Sequence, residues 1–252
     1  MRLPDDVTVV IPVKDEAATI SGVVRACLPY AREVVVVVHT PARDETAARA
    51  REAGARVVAD RGRGKGDAMR LAAAEVTTAL TVFIDGDGSH EPCDIPRLVE
   101  PLLQGQADHV SASRLMGGSS ELHGGFDEFF RLAGAAFITA CINRRFGVRL
   151  SESQNGFRAI RTAVLRQLDL RSVSTTIEQE MIARSVAMGY RMAEVASHEH
   201  PRAAGTSHIR TWRVAPRYLW SLARLMTLRR APLARPAAAG RAVRQPAPHE
   251  PR

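Results

Sequence analysis

The chain lacks any run of about 18 consecutive apolar residues, so no helix is expected to span a bilayer. Cysteine is scarce. Cys27, Cys93 and Cys141 are far apart and odd in number, which excludes a disulfide framework or a zinc motif and fits thiols in a reducing compartment. Met1–Asp6 is polar and acidic and leads straight into an apolar run, so no signal peptide is expected. Lysine is nearly missing, with Lys14 and Lys65 against 33 arginines, a bias that reads as genome composition. There is no internal repeat and no Walker A loop, since Gly-x-x-x-x-Gly-Lys-Ser/Thr does not occur. Acid is lacking at one end. Residues 201–252 hold eleven arginines and one acid, Glu250, so of the net +8 the first 200 residues carry −2. A near-neutral body with a basic end points to an anionic partner: a membrane surface, a nucleic acid or a phosphate-rich substrate. No nucleic-acid-binding motif accompanies the charge, and nucleic acid is the weakest of the three.

What is present is a globular composition, 45% hydrophobic and 25% charged over 252 residues, enough to bury a substantial core. Val7–Ile11 reads as a buried strand closed by Pro12, and Asp15–Tyr30 has apolar residues at helical spacing. Val34–Val38 is five valines in a row, the pattern of a strand covered on both faces. Thr46–Ala53 reads as a helix, Arg56–Ala59 as a strand, and a glycine-rich turn at 61–66 opens a helix to about Thr77. Leu80–Ile84 is a strand, Ile95–Gln104 a helix and His109–Ala112 strand-like. This alternation predicts an α/β domain with a mostly parallel sheet, whose ligands lie beyond the strand ends, where Pro12, His39, Asp60 and Asp85 stand. Further on, helices are expected at Glu128–Phe146 and Glu178–Met188, a turn at Gln154–Arg158, a strand at Arg191–Ala196, and a helix started by Pro216 with Leu219, Leu222, Leu225 and Met226 on one face.

Two motifs carry chemistry. Asp85-Gly-Asp87 ends a buried strand, and two carboxylates at that spacing can share one Mg²⁺ or Mn²⁺ that bridges to substrate phosphates. An ordinary polar turn gives the same pattern. Gly62-Arg-Gly-Lys-Gly66 could bring backbone amides and Lys65 to a diphosphate, or be a simple flexible turn.

Pro12-Val-Lys-Asp-Glu16, the valine strand, Gly64-Lys-Gly66, Asp85-Gly-Asp87 with Ser89-His90, Ser113-Arg114, Gly156-Phe-Arg158 and Glu178-x-Glu180 occur in one order. That ordered set resembles family 2 glycosyltransferases of the GT-A fold, and the dolichyl- or polyprenyl-phosphate mannose synthase group in particular, over residues 7–210. The resemblance implies a metal-dependent, inverting transfer of a hexose, mannose or glucose, from a GDP-mannose- or UDP-glucose-type donor to polyprenyl phosphate. It implies that Pro12, Glu16, His39, Lys65 and Asp85 bind the nucleotide-sugar. Asp85, Asp87 and Ser89 would hold Mg²⁺ or Mn²⁺, with Asp85, Asp87 and Arg114 as the catalytic set. Arg114, Arg131, Arg202 and Ser207 would bind the acceptor phosphate, and Gly156-Phe-Arg158 would shape the sugar pocket. An anionic phosphate acceptor needs positioning by arginine more than it needs a general base. The chain departs from the family pattern at His39, where an acid is usual, and at Ser89, where glutamine is.

The expected organisation is a GT-A domain over 1–210, an amphipathic helix over 211–230 and a basic tail over 231–252. The helix, with Trp212, Tyr218 and Trp220 nearby, reads either as an interfacial helix on a membrane or as a core helix packed on the domain. The expected location is cytoplasmic, with peripheral attachment to the inner membrane face. Three alternatives stand beside this reading: transfer to a soluble acceptor, a non-catalytic nucleotide-sugar-binding protein, and, less favoured, a nucleotidyltransferase.

Overall fold

The computed structural model describes residues 3–120, 126–203 and 211–231. Its centre is a seven-stranded sheet of order β3-β2-β1-β4-β6-β5-β7. Four parallel strands come from the first third of the chain: β1 (Val7–Val13), β2 (Glu33–Val38), β3 (Arg56–Ala59) and β4 (Leu80–Phe83). The other side adds β5 (His109–Ser113) and β7 (Met192–Ala196), parallel to each other, and β6 (Arg158–Arg161). β6 lies antiparallel between β4 and β5, with Phe83 and Ser111 both opposite Arg158.

The valine run behaves as its composition predicts. Val34, Val36 and Val38 enter one apolar cluster with α1 (Ile20–Cys27) and α4 (Ile95–Leu103), while Val35 and Val37 enter another with α3 (Lys65–Glu75). Alternate side chains of one strand thus serve two cores, as a sheet covered on both faces requires. α2 (Thr46–Glu52) completes the first layer, and α7 (Thr162–Gln167) joins the second. A short α5 (Arg114–Gly117) follows β5 directly, capped by the Ser113 hydroxyl, which accepts from the Met116 amide at 3.3 Å. A third apolar cluster joins α6 (Phe126–Phe146), α8 (Ile177–Ala187) and α9 (Thr211–Met226) through Ile142, Phe146, Ile182, Leu222 and Leu225.

Several expectations need correction. β1 continues through Pro12 to Val13. The first helix starts at Ile20 instead of Asp15, because Asp15 takes a left-handed conformation at φ 56° and the chain first makes a tight turn in which Thr19 and Ile20 donate to the Glu16 carbonyl. β6 and α7 were not expected. β6 spans four residues with arginine at both ends, so no alternation shows, and its neighbours β4 and β5 create it. Pro216 does not start the last helix. It sits inside the helix, in its second turn, and the helix begins at Thr211. Leu222 and Leu225 of α9 are buried, but Leu219 is half exposed and Trp220 is 69% exposed. The end of α9 is fastened by Arg145, which donates to the carbonyls of Met226 (3.0 Å) and Leu228 (2.6 Å). Among the described residues no helix is long and apolar enough to cross a membrane.

Leu225→Ala removes a fully packed side chain that holds α9 to α6 and α8. It should cost about 2–4 kcal/mol, read as a lower denaturation midpoint with an unchanged slope. Trp220→Ala, on the exposed side, should leave the midpoint within about 0.5 kcal/mol of wild type.

Candidate active site

The C-terminal ends of β1, β2, β3 and β4 share one edge of the sheet, and a cavity of about 590 Å³ opens there. Pro12, Glu16, His39, Lys65, Asp85, Asp87, Arg114, Arg131 and Arg202 all line it, although they come from seven separate stretches of sequence. Ser207, with Gly205 and His208, lies outside the described residues.

Asp85 follows β4 and is held on three sides. Its Oδ1 is 2.6 Å from Lys65 Nζ, and its Oδ2 is 3.6 Å from His90 Nε2. Behind it stands Gly156, where a Cβ would overlap the carboxylate. Burial alone would push the Asp85 carboxyl up, but the Lys65 ammonium and the His90 imidazole outweigh it and hold the group well below the usual carboxylate range. Lys65 is shared: its Nζ is also 2.7 Å from Glu178 Oε1, and the two carboxylates hold the ammonium above its usual range against the effect of burial.

Asp87 is buried and ionically engaged. Its Oδ1 accepts from the Ser89 amide (3.1 Å) and hydroxyl (2.7 Å), and its Oδ2 faces Arg202 Nη1 at 3.2 Å. The turn is pinned by Thr19, whose hydroxyl donates to the Gly86 carbonyl at 2.6 Å, and by Ala203, whose amide donates to the Asp87 carbonyl. Gly86 is required because a Cβ there would overlap Val13.

Glu16 is half-buried near this pair. Partial burial first, then the charge of Asp87, opposed by Arg202, push its carboxyl up to about 7. On the far wing Asp60 accepts from the amides of Thr40 and Gly62, both at 2.7 Å, and its Oδ2 lies 3.1 Å from His39 Nδ1. Arg114 reaches the cavity with its fork already filled, by Glu152 (2.5 Å) and Glu199 (2.6 Å). The opposite wall is apolar and comes from α6 and α9: Phe130, Phe137, Ile138, Val214 and Leu219. Beside it the Tyr218 hydroxyl donates to Thr175 at 2.8 Å, and burial next to Glu178 pushes the phenol up to about 12.

Three sequence readings change. Ser89 is not in the cavity lining; its hydroxyl donates to Asp87. The glycine-rich turn does not offer Gly66 to a phosphate, because that amide donates to the Val173 carbonyl at 3.1 Å. Gly64 and Gly66 serve instead to let α3 dock, since a Cβ at either would overlap the carbonyls of Val173 and Ser172. Arg158, expected in a turn that shapes the sugar pocket, opens β6 instead, is fully buried and donates to the carbonyls of Glu178 (3.0 Å) and Asn155. Asp60, His90, Glu178, Glu199 and Tyr218 also line the cavity. Of these, Asp60 had a signal in its strand-end position and His90 and Glu178 in their motifs, and Tyr218 was read only as part of the last helix; Glu199 had none.

The donor set fits a hard divalent cation. Asp85 and Asp87 give ionised oxygens at the cavity wall, and no group of three His, Cys, Asp or Glu residues that could hold a metal occurs among the described residues. Two carboxylates with the remaining positions left to water and substrate phosphates is how Mg²⁺ is commonly bound. Asp85, Asp87 and Lys65 would be the residues around it.

Residues 8–169 match the family model described as glycosyl transferase family 2. The chain belongs to glycosyltransferase family 2. This glycosyltransferase is 28% identical over 207 residues to glycosyltransferase AglJ of Haloferax volcanii, covering 82% of the chain and 67% of the relative. It is 29% identical over 120 residues to an undecaprenyl-phosphate mannosyltransferase of Micrococcus luteus, covering 46% of the chain and 47% of the relative. Its fold matches glucosyl-3-phosphoglycerate synthase from Mycobacterium tuberculosis, solved with Mn²⁺, UDP-glucose and phosphoglyceric acid. The TM-score is 0.70 at 23% identity, covering 88% of this chain and 80% of that one. The sheet, the helices on both faces and the edge cavity are those of the GT-A fold.

Two outcomes test this geometry in the family 2 glycosyltransferase. Gly156→Ala should displace the Asp85 carboxylate and weaken Mn²⁺ binding in a titration, with a loss of about 1–3 kcal/mol in stability from the overpacking. Glu16 binds its proton more tightly folded than unfolded, so its contribution to stability is full below its usual value of 4.5 and is lost as pH rises through about 7. In metal-free buffer Glu16→Gln should therefore melt above wild type at pH 8, and the difference should close by about pH 4.5.

Proposed function

We propose that the protein moves a hexose, mannose or glucose, from a nucleotide-diphosphate sugar to polyprenyl phosphate, with inversion. The observation that carries this reading is the make-up of one cavity: two carboxylates on its floor, arginines beside them and an apolar wall of Phe130, Phe137 and Leu219. A lipid phosphate needs those last two surfaces side by side. The relatives add support: one is named for undecaprenyl phosphate, and a fold neighbour was solved with Mn²⁺ and UDP-glucose.

The wing of Pro12, Glu16, His39 and Asp60 holds the nucleoside, and Lys65 and Arg202 face the diphosphate. Asp85 and Asp87 would hold a divalent cation, which would supply charge neutralisation for the departing nucleoside diphosphate. Arg131 and Arg202 orient the acceptor phosphate. Arg114 stands between two glutamates, a net negative cluster, and acts by holding Glu199 and Glu152 in place. An acceptor phosphate oxygen attacks the anomeric carbon as the bond to the donor diphosphate breaks, giving the lipid-linked sugar phosphate and a nucleoside diphosphate. No proton needs to be removed, because the acceptor is already an anion. Among the described lining carboxylates Asp85, Asp87, Glu178 and Glu199 are each paired with a cation and Asp60 with His39, while Glu16 stands near Asp87 with its carboxyl pushed up.

The domain is proposed to run through residue 210, with α9 as an amphipathic helix that brings Leu219 and Trp220 to the membrane holding the acceptor. A soluble acceptor is the second reading, favoured by a fold neighbour solved with phosphoglyceric acid.

The test is incubation with labelled GDP-mannose and UDP-glucose, Mn²⁺ or Mg²⁺, and polyprenyl phosphate. A lipid-extractable labelled product, abolished in Asp87→Ala, is expected. Product formed only with phosphoglyceric acid or another water-soluble acceptor would overturn the lipid assignment, and turnover retained in Asp87→Ala would remove the metal role.

A further inference from the structure

Lys65 has two anionic partners where one would neutralise it. Asp85 Oδ1 and Glu178 Oε1 stand 2.6 and 2.7 Å from the same ammonium, and Glu178 is almost fully buried while Asp85 faces the cavity. We infer that Glu178 is a positioning residue: it gives the Lys65 ammonium a second carboxylate partner, so that Asp85 can be given over to a divalent cation without leaving the lysine unpaired. The inference rests on the metal and nucleotide reading of the cavity given above.

The energetic reason is the cost of an isolated buried charge. If Asp85 were the sole partner, a cation bound there would displace the ammonium into a poorly solvated wall. With Glu178 present, a neutral Lys65–Glu178 pair remains, still aimed into the cavity, where the ammonium can meet the donor diphosphate.

The anchor is built to stay put. Glu178 lies in the first turn of α8, where the helix dipole favours a carboxylate. Its carbonyl accepts from the buried guanidinium of Arg158, which also holds the Asn155 carbonyl next to Gly156. Gly156 in turn abuts Asp85. The segment before α8 is fastened to the start of α3 by the Gly66 amide on Val173. The backbone of Glu178 and the carboxylate of Asp85 are thus each held by neighbouring segments, with the Lys65 ammonium between the two carboxylates.

The test uses the full chain and Mn²⁺ alone, with the free-ion signal followed by electron paramagnetic resonance. Glu178→Gln should weaken Mn²⁺ binding about tenfold, because Lys65 is then committed to Asp85. Glu178→Asp should recover part of the loss. The double variant Lys65→Met/Glu178→Gln should bind Mn²⁺ at least as tightly as wild type, since the competing ammonium is gone. Calorimetry with GDP and UDP in the presence of Mn²⁺ should show weaker nucleotide binding in the same double variant, separating the metal from the diphosphate role. Mn²⁺ affinity unchanged in Glu178→Gln overturns the inference. So does a double variant as weak as Glu178→Gln, the result of a merely structural glutamate. Failure of wild type to bind Mn²⁺ would instead overturn the metal reading itself, and this inference with it.

Discussion

The Asp85 carboxylate has almost no freedom, and much of the architecture can be read as what it takes to hold it. Gly156 closes the space behind it, Lys65 sits on one oxygen and His90 near the other. Each contact arrives by a different route. Lys65 comes from the first turn of α3, which glycines allow to lie against the carbonyls of Ser172 and Val173. Gly156 comes from the turn ahead of β6, the strand that runs against its neighbours. A partly buried carboxylate is costly unless it is paired, and pairing it demands that these distant segments meet. The antiparallel insertion of β6 is therefore tied to the chemistry of the edge, since it delivers Gly156 and Arg158 together.

The second half of the molecule supplies what a parallel sheet edge does not. α6, α8 and α9 form their own apolar cluster, and the faces they leave uncovered toward the cavity are Phe130, Phe137 and Leu219. Polar threads tie this unit to the site: Tyr218 on Thr175, and Gln179 on the Tyr218 carbonyl at 3.3 Å. α9 is neither purely a core helix nor purely an interfacial one. Leu222 and Leu225 do the first job, and Leu219 with Trp220 leaves the second open on the other side of the same helix.

The sheet was largely legible because β-branched runs such as 34–38 leave few alternatives to a covered strand, and because punctuation by glycine and proline is local. The cavity's first members were legible for the same reason: strand ends mark the edge. What the sequence hid was set by partners far along the chain. Arg158 reads as part of a turn until the carbonyls of Asn155 and Glu178 are seen to receive it. Ser89 reads from its motif as a metal ligand, whereas its hydroxyl donates to Asp87. Glycines 64 and 66 suggest a phosphate cradle, yet what they permit is helix docking, and no local pattern distinguishes these two uses of a missing side chain.

The choice of cation at residue 65 follows from the same crowding. The chain uses arginine 33 times and lysine twice, and both lysines, Lys14 and Lys65, line the cavity. Composition bias accounts for arginine wherever any positive charge will serve. At position 65 the two forms of charge are not equivalent. A guanidinium is a planar fork whose donors have fixed directions, so the two carboxylates that Arg114 meets, Glu152 and Glu199, take separate nitrogens. An ammonium is compact, rotates freely and meets two carboxylates from different elements at 2.6 and 2.7 Å with no shared plane. It can also give up one partner without turning the other away. Two carboxylates from different elements are served by such a point charge, which makes the scarce residue at this position a physical choice within a compositional background.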